Sequence, residues 1–144
     1  MTRLVAQSPT WIPVGGFHAG TPATYSAGIG VGAVVSRRLT NVNRMTYDDS
    51  HVFLIAEPGW TTARASVGYG TERHRLRTSM LTNLRVTALR RWTHDPVADY
   101  LGVEGAAVAM EESPLGARVG VFRRIAGPTN AHRWLFAVDF PAGW

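Results

Sequence analysis

The chain has 144 residues, a length that suits one domain, and 45% of them are hydrophobic, which is ordinary for a globular protein. It contains no cysteine, which excludes disulfides and thiolate metal sites. All 15 basic residues are arginine, and the formal net charge of +5 permits binding to polyanions without requiring it.

Alternation of apolar and polar residues is the main pattern along the chain, because a strand sends successive side chains to opposite faces. Residues 82–92 contain good helix formers, but their alternation favours a strand. The predicted strands cover residues 11–20 (weakly patterned), 25–36, 51–60, 62–71, 76–92, 100–110, 115–125 and 132–144. The longest predicted loop, residues 37–50, carries Asn41, Asn43, Asp48 and Asp49.

Short turns between these strands indicate an antiparallel meander. We therefore predict an all-β fold, an up-and-down β-barrel of about eight strands, with a β-sandwich as the alternative. The domain spans residues 1–144, and residues 1–24 combine an N-terminal extension with the weak first strand. No run of about 18 apolar residues predicts a transmembrane helix.

Within each strand, residues at alternate positions share a parity, odd or even, and therefore a face. Sorting the residues by parity separates an apolar face from a polar one. The polar face is rich in glycine and serine, and its acids and bases balance. These charged residues are Glu57, Arg64, Arg85, Glu104, Arg118 and Asp139. In a sandwich this face would meet water, whereas in a narrow barrel small residues and paired charges would suit the interior. We expect the second arrangement, with these six residues forming an interior polar network.

Aromatic residues on the apolar face are predicted near strand ends, as in the interfacial girdles of membrane barrels. They are Tyr25, Trp60, Tyr69, Trp92, Trp134 and Trp144. Arg90 and Arg123 also fall on this face at strand ends, where the membrane cost of an arginine is only about 0–1 kcal/mol. The pattern favours lipid on the outside of the barrel.

The chain from Tyr25 onward resembles the small eight-stranded outer-membrane barrels of Gram-negative bacteria, above all in its ending, residues 134–144. Pro141 departs from that pattern because proline cannot donate to a strand ladder. The resemblance implies an outer-membrane location, periplasmic termini and a long first external loop, whereas the long predicted loop comes second. Residues 1–7 do not form a complete signal peptide, so either the protein is not exported or its export signal is removed or truncated, and the resemblance favours the second.

The five histidines, His18, His51, His74, His94 and His132, show no metal-ligand spacing. Lipid A deacylases among the similar barrels use a His-x-Ser-Asn motif, which is missing here. A Ser-His-acid site assembled across strands stays open, because such sites are defined by geometry. We predict no catalytic residues, no metal site and no cofactor.

Clustered basic residues form the best candidate anion-binding surface. They are Arg37, Arg38, Arg73, His74, Arg75 and Arg77. In a membrane barrel they would meet phosphates of membrane lipid or lipopolysaccharide; in a soluble protein they would meet nucleic acid.

The sequence thus predicts an outer-membrane barrel with a plugged polar interior and a structural or lipid-interaction role. The alternative is a soluble all-β subunit of a shell or filament that binds a polyanion. The third interpretation is a barrel enzyme that acts on outer-membrane lipid.

Overall fold

The computed structural model describes residues 10–22, 24–41, 46–75, 78–92, 97–110 and 115–143. Eight strands occupy almost all of them: β1 Thr10–Thr21, β2 Thr24–Asn41, β3 Thr46–Pro58, β4 Thr62–His74, β5 Ser79–Arg91, β6 Ala98–Met110, β7 Leu115–Ala126 and β8 Trp134–Gly143. No helix in these ranges could span a membrane. The predicted all-β, up-and-down fold is confirmed.

Each strand pairs antiparallel with the next, and β1 pairs with β8 to close the barrel. One end, here called the terminal end, carries the start of β1, the end of β8 and the β2–β3, β4–β5 and β6–β7 connections. The other, here called the turn end, carries the remaining four connections. The β1–β2 connection is only residues 22–23, so the long first loop implied by the resemblance is not present.

The prediction of a loop at residues 37–50 is wrong for residues 37–41 and 46–50, which the structure describes as strand. β2 continues to Asn41 and β3 begins at Thr46, leaving residues 42–45 outside the described residues. Arg37 donates to both carboxylate oxygens of Asp49 at 2.8 and 2.7 Å from the neighbouring strand. Because opposite charges face each other across the ladder, a segment that is polar in sequence remains a strand.

Other strand boundaries also differ from the prediction. β5 begins at Ser79 rather than at residue 76, and Leu76 and Arg77 lie outside the described residues. β8 begins at Trp134 rather than at residue 132, because Arg124 holds the preceding turn by donating to the backbone carbonyls of Pro128 and Ala131.

One aromatic residue that the sequence places near a strand end lies elsewhere in the structure. β4 runs on to His74, so Tyr69 lies past the middle of its strand rather than near its end. Trp144, the predicted terminal aromatic, lies outside the described residues, as do residues 1–9.

The two predicted faces have opposite surroundings. Glu57 and Arg118 are 0% exposed, whereas Trp60 on the other face is 84% exposed. The outer surface of the barrel is apolar along most strands. Its large exposed side chains include Phe17, Tyr25, Ile29, Val31, Val52, Leu54, Val67, Tyr69, Leu84, Val86, Leu101, Val103, Val119, Phe136, Val138 and Phe140.

The interior also contains apolar layers that the parity sorting did not predict. One cluster contains Leu89, Tyr100 and Phe122, which lie on β5, β6 and β7. On each of these strands, the cluster residue is nearer the turn end than the charged residue of the predicted network. A second cluster contains Phe53 and Ile55, which lie nearer the terminal end than Glu57. An apolar cluster therefore lies on each side of the charged layer, whose six side chains are at most 4% exposed.

Gly30 allows a close approach of β2 and β3. A Cβ atom on Gly30 would lie 2.1 Å from the backbone oxygen of Leu54, whereas one on Gly105 would meet only Asn83 O at 3.9 Å. We expect Gly30→Ala to lower the free energy of unfolding by about 1–3 kcal/mol, because the backbone must move, and Gly105→Ala to change it by less. Urea titration of both variants under the same folding conditions measures the change in the free energy of unfolding. Equal decreases for the two variants would contradict the close approach of the strands at Gly30.

Candidate functional site

The barrel interior brings together all six residues of the predicted polar network. Each of the strands β3 to β8 contributes one of them, and none is more than 4% exposed. Three arginines and three carboxylates make the layer neutral in formal charge. Neutrality matters because an unpaired charge buried in a protein costs several kcal/mol.

Arg118 is the centre of this ion network. Its Nη1 atom donates to Glu57 Oε1 at 2.6 Å and to Oε2 at 2.9 Å. Its Nε atom donates to Asp139 Oδ2 at 3.0 Å and lies 3.7 Å from Glu104 Oε1. One guanidinium thus contacts all three buried carboxylates, which come from three other strands.

Arg64 on β4 contacts two of the carboxylates that Arg118 also contacts. Its Nη1 atom donates to Asp139 Oδ2 at 2.5 Å and to Glu104 Oε1 at 3.3 Å. Glu104 also accepts from Thr87 Oγ1 at 2.6 Å, and this hydroxyl is 2.8 Å from Ser66 Oγ. The carboxylates are therefore held by hydrogen bonds as well as by charge.

Arg85 is bound more loosely than the other two arginines. Its Nη1 atom lies 3.7 Å from Glu57 Oε1, and its Nε atom donates to Asn83 Oδ1 at 3.3 Å. Its guanidinium carbon lies 5.4 Å from the centre of the Phe53 ring, within the range of a cation–π contact. Its place in the network depends less on carboxylates than that of Arg118.

His18 belongs to the same layer, although it was not among the predicted network residues. Its Nε2 atom lies 2.9 Å from Glu57 Oε1, and its side chain is 1% exposed. His18 has the same parity as Val14 in β1, and both side chains are buried. The parity of His18 could have placed it on the inner face. However, apolar and polar residues alternate only weakly in β1, so the sequence did not show which of its faces points inward.

A serine, a histidine and an acid do meet across strands. Ser26 is the cross-strand neighbour of His18, and His18 contacts Glu57. However, neither Ser26 Oγ nor His18 Nδ1 makes a hydrogen bond within the described residues, and both atoms are closed off from solvent. A nucleophilic serine needs a hydrogen bond to its base, so this constellation lacks that element.

The predicted anion-binding residues come together at the terminal end, except Arg77, which lies outside the described residues. On the inner side of this rim, Arg37 pairs with Asp49, and its guanidinium carbon lies 4.6 Å from the centre of the Tyr47 ring. The same Tyr47 ring stacks on His74 at 4.2 Å, and His74 Nε2 is 3.5 Å from Glu72 Oε2. These inward-facing basic groups are therefore already engaged by carboxylates.

On the outer side of the rim the basic groups are more available. Arg38, Asp48 and Arg73 are direct neighbours on β2, β3 and β4. Arg75 Nη1 donates to Asp48 Oδ1 at 3.1 Å, whereas Arg38 and Arg73 are exposed and form no ion pair with any residue that the structure describes. The predicted cluster thus divides into a paired inner half and an open outer half.

No protein-family model matches this chain, and no curated protein or solved structure matches it either. Within the described ranges, no group of three or more histidine or acidic side chains has the geometry to hold a metal ion.

The network predicts unequal effects when its arginines are removed. Arg118→Met should lower the free energy of unfolding by about 3–5 kcal/mol, because it leaves Glu57 and Asp139 as buried, less compensated charges. Arg85→Met should cost less, since its nearest contact with Glu57 is 3.7 Å. Urea unfolding followed by tryptophan fluorescence measures both variants.

The outward-facing Arg123 is the matched control for these two substitutions, because it is exposed. Arg123→Met should change the free energy of unfolding by no more than about 0.5 kcal/mol. Equal losses for the variants at positions 118 and 123 would contradict the central position of Arg118 in the network.

Proposed function

We propose that this chain is an integral β-barrel of a Gram-negative outer membrane, with a sealed interior and a structural or lipid-interaction role without catalysis. The observation that carries the proposal is the inverted distribution of polarity. Charged side chains fill the lumen, while large apolar side chains such as Ile29 and Phe136 are more than 70% exposed on the outside. Soluble monomers rarely expose contiguous apolar patches beyond a few hundred Å².

The height of the apolar belt supports a bilayer as the surrounding medium. On β2, the belt extends over ten residue steps from Tyr25 to Val35, both of which are exposed. At about 3.3 Å per residue and a strand tilt of about 40°, this corresponds to about 25 Å, which equals the height of the apolar band of about 25 Å in outer-membrane barrels.

The two borders of the belt also suit a membrane. At the turn end, Tyr25, Trp60, Trp92 and Trp134 are all exposed. Beyond Tyr69 at the terminal end, the outer face changes to a row of hydroxyl residues. This row consists of Ser36, Ser50, Thr71 and Thr82, which are cross-strand neighbours on β2 to β5. Aromatic and hydroxyl side chains suit the interface between acyl chains and water.

Closure of the sheet supports the same proposal. Lipid cannot hydrogen-bond to free backbone groups, so only helices and closed barrels span bilayers. Here β1 pairs with β8 from Gly16 to Thr21. The eight strands have 10–18 residues, which reaches or exceeds the about 9–11 residues that a tilted strand needs to cross a bilayer. Membrane lipid, including lipopolysaccharide, is the proposed partner of this surface.

The filled interior favours a structural role over transport. An eight-stranded barrel has room for little more than its own side chains, and here Arg118, Tyr100 and Phe122 occupy it with at most 1% exposure. The six side chains of the charged layer are themselves at most 4% exposed, and an apolar cluster lies on each side of the layer.

Extraction distinguishes the membrane barrel from a soluble shell or filament subunit. We expect the protein to require detergent and to enter lipid vesicles, where its strands become resistant to added protease, because its outer surface is apolar. A protein that is soluble and monodisperse without detergent would contradict the proposal. Ordered assemblies formed without lipid would favour the soluble-subunit alternative, with its arginines available for nucleic acid or another polyanion.

Planar-bilayer recording tests the sealed interior. We expect the inserted protein to give no current steps, because the ion network and both apolar clusters fill the lumen. A porin added to the same membrane confirms that channels would be detected. Reproducible conductance steps from this protein alone would overturn the sealed interior while leaving membrane insertion intact. Lipid analysis of cells with and without the protein tests for lipid-modifying activity, and we expect no change.

A further inference from the structure

The outer rim of the terminal end carries an excess of positive charge. Arg38 and Arg73 flank Asp48 on the neighbouring strands, and Arg75 bonds the Asp48 carboxylate at 3.1 Å. Three arginines are therefore neighbours of one acidic residue, and only Arg75 contacts its carboxylate. Since Arg75 engages that carboxylate, the charges of Arg38 and Arg73 remain available to an external anion.

The position of these arginines along the barrel indicates what kind of anion they would meet. On β4, Arg73 lies two residues beyond Thr71, which lies two residues beyond Tyr69, and all three share the outer face. The outer surface thus changes from apolar through hydroxyl to cationic within one strand. An amphiphile with an acyl chain, a polar linker and an anionic headgroup has the same order of chemistry.

A recess lies at the border between the apolar and hydroxyl rows. Tyr69, Thr71, Thr82 and Leu84 line it together with Gly70 and Asn83, and its volume is about 300 Å³. The hydroxyls of Thr71 and Thr82 are 3.0 Å apart and form its polar side. Arg73 is the next outward-facing residue of β4 beyond this recess, toward the terminal end. A lipid headgroup bound by Arg73 would therefore lie next to the recess, at the level where acyl chains meet water.

The spacing of the two arginines suits one phosphate between them. Their strands are separated by β3, which places the two backbones about 10 Å apart at a strand spacing of about 4.8 Å. Arginine side chains are long enough to converge from that distance, and guanidinium pairs well with phosphate oxygens.

We propose that Arg38 and Arg73 bind the phosphate of an anionic phospholipid whose acyl chains lie against Tyr69 and Leu84. The proposal rests on the membrane barrel proposed above and adds the lipid class and its position. A zwitterionic lipid does not complement the surplus charge, and a free phosphate ion does not use the apolar half of the surface.

The corresponding position at the turn end is a weaker candidate. Arg90 is exposed beside a recess that is lined largely by apolar residues. Its Nε atom lies 3.7 Å from Asp99 Oδ1, so its charge is partly compensated. This difference provides a control: Arg90 and Arg123 are outward-facing arginines at the opposite border of the apolar belt.

The test titrates phosphatidylglycerol into the detergent-solubilised barrel and counts bound lipids by native mass spectrometry. We expect phosphatidylglycerol to bind more tightly than phosphatidylcholine, and its affinity to fall about tenfold or more in the double variant Arg38→Gln/Arg73→Gln. The control variant Arg90→Gln/Arg123→Gln removes the same charge and should retain the affinity within about twofold. Raising the salt concentration should weaken the binding of phosphatidylglycerol.

Three results would overturn the proposal. Equal losses in both double variants would indicate general electrostatic attraction, and competition by millimolar inorganic phosphate would indicate a simple anion site. Tighter binding of lipopolysaccharide than of phosphatidylglycerol would assign the surface to a different lipid. The barrel proposal survives all three if the protein still inserts into vesicles, whereas failure to insert would overturn both.

Discussion

The pairing of three arginines with three carboxylates inside the barrel is the constraint on which the rest of the structure depends. Each of the strands β3 to β8 supplies one member, and Arg118 on β7 contacts the carboxylates on β3, β6 and β8. A slip of one residue in any of these strands would move its charge to the outer face and leave a partner unpaired inside. The network therefore links the register of six strands to their electrostatics, beyond what backbone pairing alone specifies.

Placing the charges inside has a direct consequence for the outer surface. Because side chains alternate along each strand, a polar lumen leaves the apolar residues outside, where water would be an unfavourable solvent. The proposed bilayer resolves this conflict, and the band of hydroxyl and arginine residues beyond Tyr69 then lies at the level of lipid headgroups. The apolar clusters around Phe122 and Phe53 lie on the two sides of the buried charges. Interior and exterior are thus two results of one alternating pattern.

Most of the fold and the network could be predicted from the sequence, because both depend on parity, which is a local property. The failures are also physical. Residues 37–50 contain several polar residues and look like a loop, but Arg37 and Asp49 compensate each other across strands. His18 was missed because β1 is patterned too weakly to show which of its residues face inward. The Ser26, His18 and Glu57 neighbourhood depends on the register of three strands, which no local pattern contains.

By itself the sequence determined the all-β class, the two faces of each strand and the balanced set of charges on one of them. These follow from the alternation of side chains, because residues two positions apart in a strand point to the same face. Only the tertiary structure decided that Arg118 is the centre of the network and that Arg85 is peripheral. It also decided that the basic cluster divides into a neutralised inner half and an open outer half around Arg38 and Arg73. Whether a charged residue is paired or open depends on which strands are neighbours and on their register. Both are determined by contacts between residues that are distant in the sequence.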